Sequence, residues 1–157
     1  MGHHGAVEPY AQELVDAAEA ALPVWVVRCV IERITAWSGA APPEVVARAE
    51  EAGLRARHEV GGALRTLLAA DIDDQRGTPL SLLREAVRFP TAVLEEAGVP
   101  PVERDHFAER AFPGDPYDLS PASFADVDPA LAGPGLAWGA GKALAHRRRH
   151  QPGGGPA

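Results

Sequence analysis

Residues 23–37 read Pro23-Val24-Trp25-Val26-Val27-Arg28-Cys29-Val30-Ile31-Glu32-Arg33-Ile34-Thr35-Ala36-Trp37, and this stretch decides the fold. Wound at helical period, it places Trp25, Val26, Cys29, Val30, Ile31, Ile34 and Trp37 around almost the whole circumference. Arg28, Glu32 and Thr35 remain as a thin polar stripe, and Arg28 and Glu32 stand four apart, a spacing suited to an ion pair. No alternation of period two argues for a strand here or elsewhere in the chain. A helix this apolar belongs at the centre of a core, or half-buried against a second subunit. Pro23 suits its first turn, and Ser38-Gly39 ends it with glycine at a left-handed cap.

Outward from this element the pattern stays helical. Residues 9–22 form a short amphipathic helix with Leu14, Val15, Ala18, Ala21 and Leu22 on one face. Pro42-Pro43-Glu44 opens the longest helix, running to about Ala70, with Val46, Ala49, Gly53, Val60, Leu64, Leu67 and Leu68 inward and Glu51–Arg55 as a favourable surface pair. Gly61-Gly62 in its middle costs roughly 1 kcal/mol per glycine against alanine, which points to a neighbour in close approach or to a bend. Asp71-Ile72-Asp73-Asp74-Gln75-Arg76-Gly77 is a polar linker. Thr78 and Pro79 then suit the N-cap and first position of a helix with Leu80, Leu83, Ala86 and Val87 inside. Pro90 is expected to break or kink that helix, with Thr91 capping a continuation over 92–97, and Gly98-Val99-Pro100-Pro101 to stop it. Residues 102–112 make a further short helix. Residues 113–135, dense in proline and aspartate yet holding Tyr117, Leu119, Phe124, Val127 and Leu131, read as an ordered acidic wrap with Ser120-Pro121 and Asp128-Pro129 as caps. A last helix covers 136–150, and 151–157 is a disordered tail.

The expectation is therefore an all-α fold in a single domain over 1–150. It comprises three N-terminal helices in 8–70, broken helices in 71–112, the acidic wrap and the C-terminal helix. At 157 residues the chain is long enough for one full core and too short for two. One cysteine permits no internal disulfide, Met1-Gly2-His3-His4-Gly5 lacks the features of a signal peptide, and no apolar run nears the roughly 20 residues of a membrane span. A cytoplasmic protein is expected. Thirty alanines, fourteen arginines against the single Lys142, and no asparagine mark a GC-rich coding sequence of actinobacterial type.

Net charge is −7, which gives no general attraction to nucleic acid or anionic lipid. The distribution is uneven: residues 101–130 carry 7 acids and 2 bases, whereas 131–157 carry 4 bases and no acid. The basic end, Arg147-Arg148-Arg149, complements a helix C-terminus and is a weak footprint for nucleic acid.

No motif assembles a reaction. Asp71, Asp73 and Asp74 are the densest carboxylate cluster, but calcium-loop spacing fails and they read as a solvated linker or a partner-binding surface. His58-Glu59 and Asp105-His106 with Glu109 are the interior acid–histidine combinations; no HExxH, paired ExxH or CxxC accompanies them. Cys29 lies on the most apolar helix and reads as a small hydrophobe. Gly139-Ala140-Gly141-Lys142 departs from a phosphate loop at Ala143 and at Leu136. No cofactor is implied.

Thr78-Pro79-Leu80 through Pro90-Thr91, Ala97-Gly98-Val99-Pro100-Pro101, Phe112-Pro113, Tyr117-Asp118-Leu119 and Ser123-Phe124-Ala125-Asp126 resemble a family of small uncharacterised actinobacterial proteins, over roughly residues 70–140. The resemblance implies a bacterial cytosolic protein and carries no activity or site residue with it.

The leading expectation is a non-enzymatic helical module that binds another protein or a second copy of itself. Its surface would be acidic and aromatic-bearing: Asp71, Asp73, Asp74, Tyr117, Asp118, Phe124, Asp126 and Trp138. The alternative is a metal- or small-molecule-binding protein or an enzyme. That reading gathers His58, Glu59, Asp105, His106 and Asp118 around a pocket between the long helix and residues 101–130.

Overall fold

The computed structural model describes residues 9–69, 79–102, 115–136 and 138–139, and among them every regular element is a helix. Helix α1 spans Pro9–Ser38, α2 Pro43–Ala69, α3 Pro79–Glu96 and the single turn α4 Phe124–Val127, followed by a 3-10 turn over Pro129–Leu131. The first three pack on one another, and α4 with the 3-10 turn packs against α1.

The N-terminal part departs from expectation. Residues 9–38 are one helix of 30 residues with Pro23 inside it, not two helices meeting at Pro23. An internal proline removes one backbone hydrogen bond and costs about 3 kcal/mol. Against this stands one continuous buried stripe: Leu14, Val15, Ala18, Ala21 and Leu22 before Pro23 and Trp25, Val26, Val30 and Ile34 after it. A break at Pro23 would throw the two halves of the stripe out of register. At its C-terminus Gly39, at φ +87°, donates its N–H to the Thr35 carbonyl, the left-handed cap that the sequence foretells.

Helix α2 opens at Pro43 as expected, but its inner face is built on alanine. Val45, Ala49, Ala52, Gly53, Ala56, Val60, Gly61, Leu64, Leu67 and Leu68 are buried, whereas Val46 is only half-buried. Small residues let the backbones of α1 and α2 approach. A Cβ added at Gly53 would lie 2.9 Å from the Cα and the carbonyl oxygen of Pro23, and one at Gly61 would lie 2.8 Å from Cγ of Glu19. The close approach expected at Gly61-Gly62 thus belongs to Gly61 alone, since Gly62 has nothing within 4 Å.

Helix α3 likewise continues past its proline without a break. Pro90 and Thr91 are both buried, and the Thr91 hydroxyl has no hydrogen-bond partner among the described residues, so it caps none of them. Burial of Leu82, Leu83, Ala86, Val87, Val93 and Leu94 along one face keeps the two halves together. The helix closes at Gly98, at φ +77°, whose N–H reaches the Glu95 carbonyl while Val99 N–H reaches that of Leu94. This paired arrangement satisfies carbonyls the helix leaves open, with Val99 and Leu94 both buried beside it.

The linker aspartates and residues 103–112 of the expected short helix lie outside the described residues, as do most of the expected last helix and the tail; Val102, its first residue, is not helical. Helical backbone is present at 132–136 and 138–139, beginning before the expected Leu136.

Candidate functional site

Residues 115–131 are shaped and tied to the helices by a few polar side chains, of which Asp115 and Tyr117 are buried. Asp115, 3% exposed, accepts hydrogen bonds from the backbone N–H of Leu119 (3.0 Å) and Ser120 (2.8 Å) and from the Ser120 hydroxyl (2.6 Å). Those bonds wrap the chain around one carboxylate and place Asp118 at φ +55°. Ser120 is therefore bound to Asp115 and starts no helix. Asp128 does act as the expected cap, accepting from Ala130 N–H at 2.9 Å with Pro129 next in line. The turn is tied to the end of α3 twice: Val102 N–H donates to the Pro116 carbonyl, and the Tyr117 hydroxyl to that of Val99 at 2.6 Å. It is tied to α1 by the Arg28 guanidinium, which donates to the Val127 carbonyl at 2.9 Å. Arg28 is thus engaged away from Glu32, and neither the Arg28–Glu32 nor the Glu51–Arg55 pair closes; ion pairs seen among the described residues include Arg48–Glu96, Arg65–Glu19 and Arg88–Glu85.

This geometry corrects the aromatic part of the expected surface. Tyr117 is wholly buried and Trp138 nearly so, and Phe124 is half-buried against the core. Apolar area won over display, since these rings seal the segment onto the helices. Asp118 and Asp126 are exposed, but Asp126 accepts from the N–H groups of Ala122 and Ser123 and so serves the turn. Asp71, Asp73 and Asp74 lie outside the described residues. The alternative pocket is not assembled by the groups that can be followed: His58 and Glu59 are exposed on α2, while Asp118 sits on the segment packed against α1, and Asp105 and His106 lie outside the described residues. Among the described residues no three metal-ligating side chains converge.

Cys29 faces this junction from α1 and is half-buried. Burial pushes its thiol up to about 12; Arg28 opposes the shift, and the Glu32 and Asp115 carboxylates add to it. It is held as a neutral thiol, the reverse of what a nucleophile needs.

The open face lies beside the Arg28 contact, between α1 and α2. Val24 is 63% exposed and Leu54 of α2 58% exposed, and they share a groove of about 670 Å³ with Val27 and Ile31. Glu32 and Glu50 form its acidic end, with Arg28 turned toward Val127. Leu54 also borders a smaller hollow of about 380 Å³, lined by Glu19, Arg57, His58 and Arg65. Sequence reading missed Leu54 because it falls between the inner and the wet faces of α2. The signal for α1 was present, in a helix too apolar to be covered by one neighbour.

A second apolar groove, about 500 Å³, runs between the start of α3 and residues 122–139, past Leu80, Leu83, Phe124 and Trp138. Its rim reaches the limits of the described residues at Pro79 and Gly139. Among the described residues the buried indole N–H of Trp138 has no partner.

No helix among the described residues is long and apolar enough to cross a membrane. The chain matches no protein-family model, no curated protein and no solved structure.

Proposed function

We propose that this chain is a non-enzymatic helical binding module of the cytoplasm that docks a helical protein surface into the groove between α1 and α2. The observation that carries the reading is the exposed pair Val24 and Leu54, side by side between charged rims. Large apolar side chains left in water forgo roughly 1.5–3 kcal/mol each that burial would return. An apolar centre with a polar border is also the usual anatomy of a protein interface. The acidic segment takes a supporting role: through Arg28 and Val127 it braces the wall of α1 beside the groove. The unpaired Cys29, kept as a thiol, fits a reducing compartment.

The test is a photo-crosslinking residue in the full chain, expressed in its own host. At position 54 it is expected to join another polypeptide. At position 59, about 140° further round α2, it is expected to remain unjoined. Equal yields at the two positions would remove the groove as a docking face.

A further inference from the structure

The charges around Leu54 say which partner the groove suits. Gly53 meets Pro23 and Gly61 meets Glu19, so α1 and α2 run antiparallel, with Val24 and Leu54 at one level. From that level toward one end lie Glu32 and Glu50, with Arg28 beside them bound to the Val127 carbonyl; toward the other lie Arg57 and His58, together with Arg65, which is already paired with Glu19 at 2.7 Å. Glu50 stands about 6 Å to one side of Leu54 along the helix axis and Arg57 about 4.5 Å to the other. Among the described residues neither Glu32, Glu50 nor Arg57 closes an ion pair of its own. The face is thus acidic at one end, apolar in the middle and basic at the other. A uniformly basic partner would meet repulsion at Arg57, and a uniformly acidic one at Glu50. A face with this polarity is complementary to itself once turned through a half-rotation.

Resting on the docking-module reading, we propose that the occupant is a second copy of this chain, related by a two-fold axis through the Val24–Leu54 level. Glu50 of each copy then lies over the partner's Arg57, and the two α1–α2 pairs form an antiparallel four-helix arrangement. The apolar strip of Val24, Val27, Ile31 and Leu54 supplies the buried centre. Both copies carry the same net charge, so the attraction is local: the apolar strip drives association and the charged ends set the register.

Sedimentation velocity on the full chain over a concentration series tests this. The expected species has twice the mass of one chain, and Leu54→Glu is expected to leave a monomer with unchanged helix content. Glu50→Arg and Arg57→Glu should each weaken association by about tenfold, and the double variant should recover to within about threefold of the original. A dimer in which the two reversals simply add would overturn the two-fold register. A chain that stays monomeric throughout the series would overturn the second copy as occupant. Crosslinking at position 54 to a different protein would then leave the module reading standing, whereas no crosslink at 54 would end both.

Discussion

Between α1 and α2 the contact is made of small side chains and backbone; residues 115–131 are fixed, within themselves and to α1 and the end of α3, by hydrogen bonds to a few polar side chains. The first is an area effect, with Gly53 against Pro23 and Gly61 against Glu19 where a continuous buried stripe of α1 meets the buried face of α2. The second is directional and concentrated, with Asp115, Tyr117 and Arg28 supplying most of the fixed points. A distributed contact tolerates the loss of one member but not an intruding atom. A concentrated one tolerates bulk at its rim but not the loss of an anchor.

The largest expected effect comes from intruding on the first contact. Gly53→Val places carbon against Pro23 backbone that has no rotamer by which to yield, and should cost about 3 kcal/mol or more in chemical denaturation. Gly62→Ala, nine residues along the same helix, meets nothing within 4 Å and should stabilise by about 0.5–1 kcal/mol. If the two substitutions shift stability in the same direction, close approach is not what Gly53 provides.

Removing an anchor should come next. Asp115→Ala strands the N–H groups of Leu119 and Ser120, at about 2–4 kcal/mol. Amide exchange is expected to quicken at 117–131 while the middle of α2 keeps its protection. A uniform loss across both regions would show that they unfold as one unit and that the contrast is only geometric.

The smallest effect is one of pH. With its thiol raised from 9.0 to about 12, Cys29 should react with iodoacetamide at pH 8 about a thousandfold more slowly in the folded than in the denatured chain. Because the folded state holds the proton more tightly, the stabilisation from this group is complete below pH 9. It is lost as pH rises toward 12. Tyr117, raised by burial and by Glu95, shifts in the same sense. Equal labelling rates in the folded and denatured chain would mean that the segment around Asp115 does not cover Cys29.

Some of this was written plainly in the chain. Helical periodicity, the glycine caps at Gly39 and Gly98, the start of α2 at Pro43 and the Asp128-Pro129 cap are local matters, settled by φ preferences and by neighbours four residues away. The acidic segment could be read as ordered, but not how it is fixed, since the bonds to Val99 and from Arg28 span 18 and 99 residues. The sequence by itself determined that the chain is helical and where glycine ends its helices. Only the tertiary structure decided that Pro23 and Pro90 do not break their helices, that Tyr117 and Trp138 face inward, and that Val24 and Leu54 face water. The reason is common to all three. A proline's lost hydrogen bond and a ring's choice of side are worth a few kcal/mol, and packing between distant segments decides such sums.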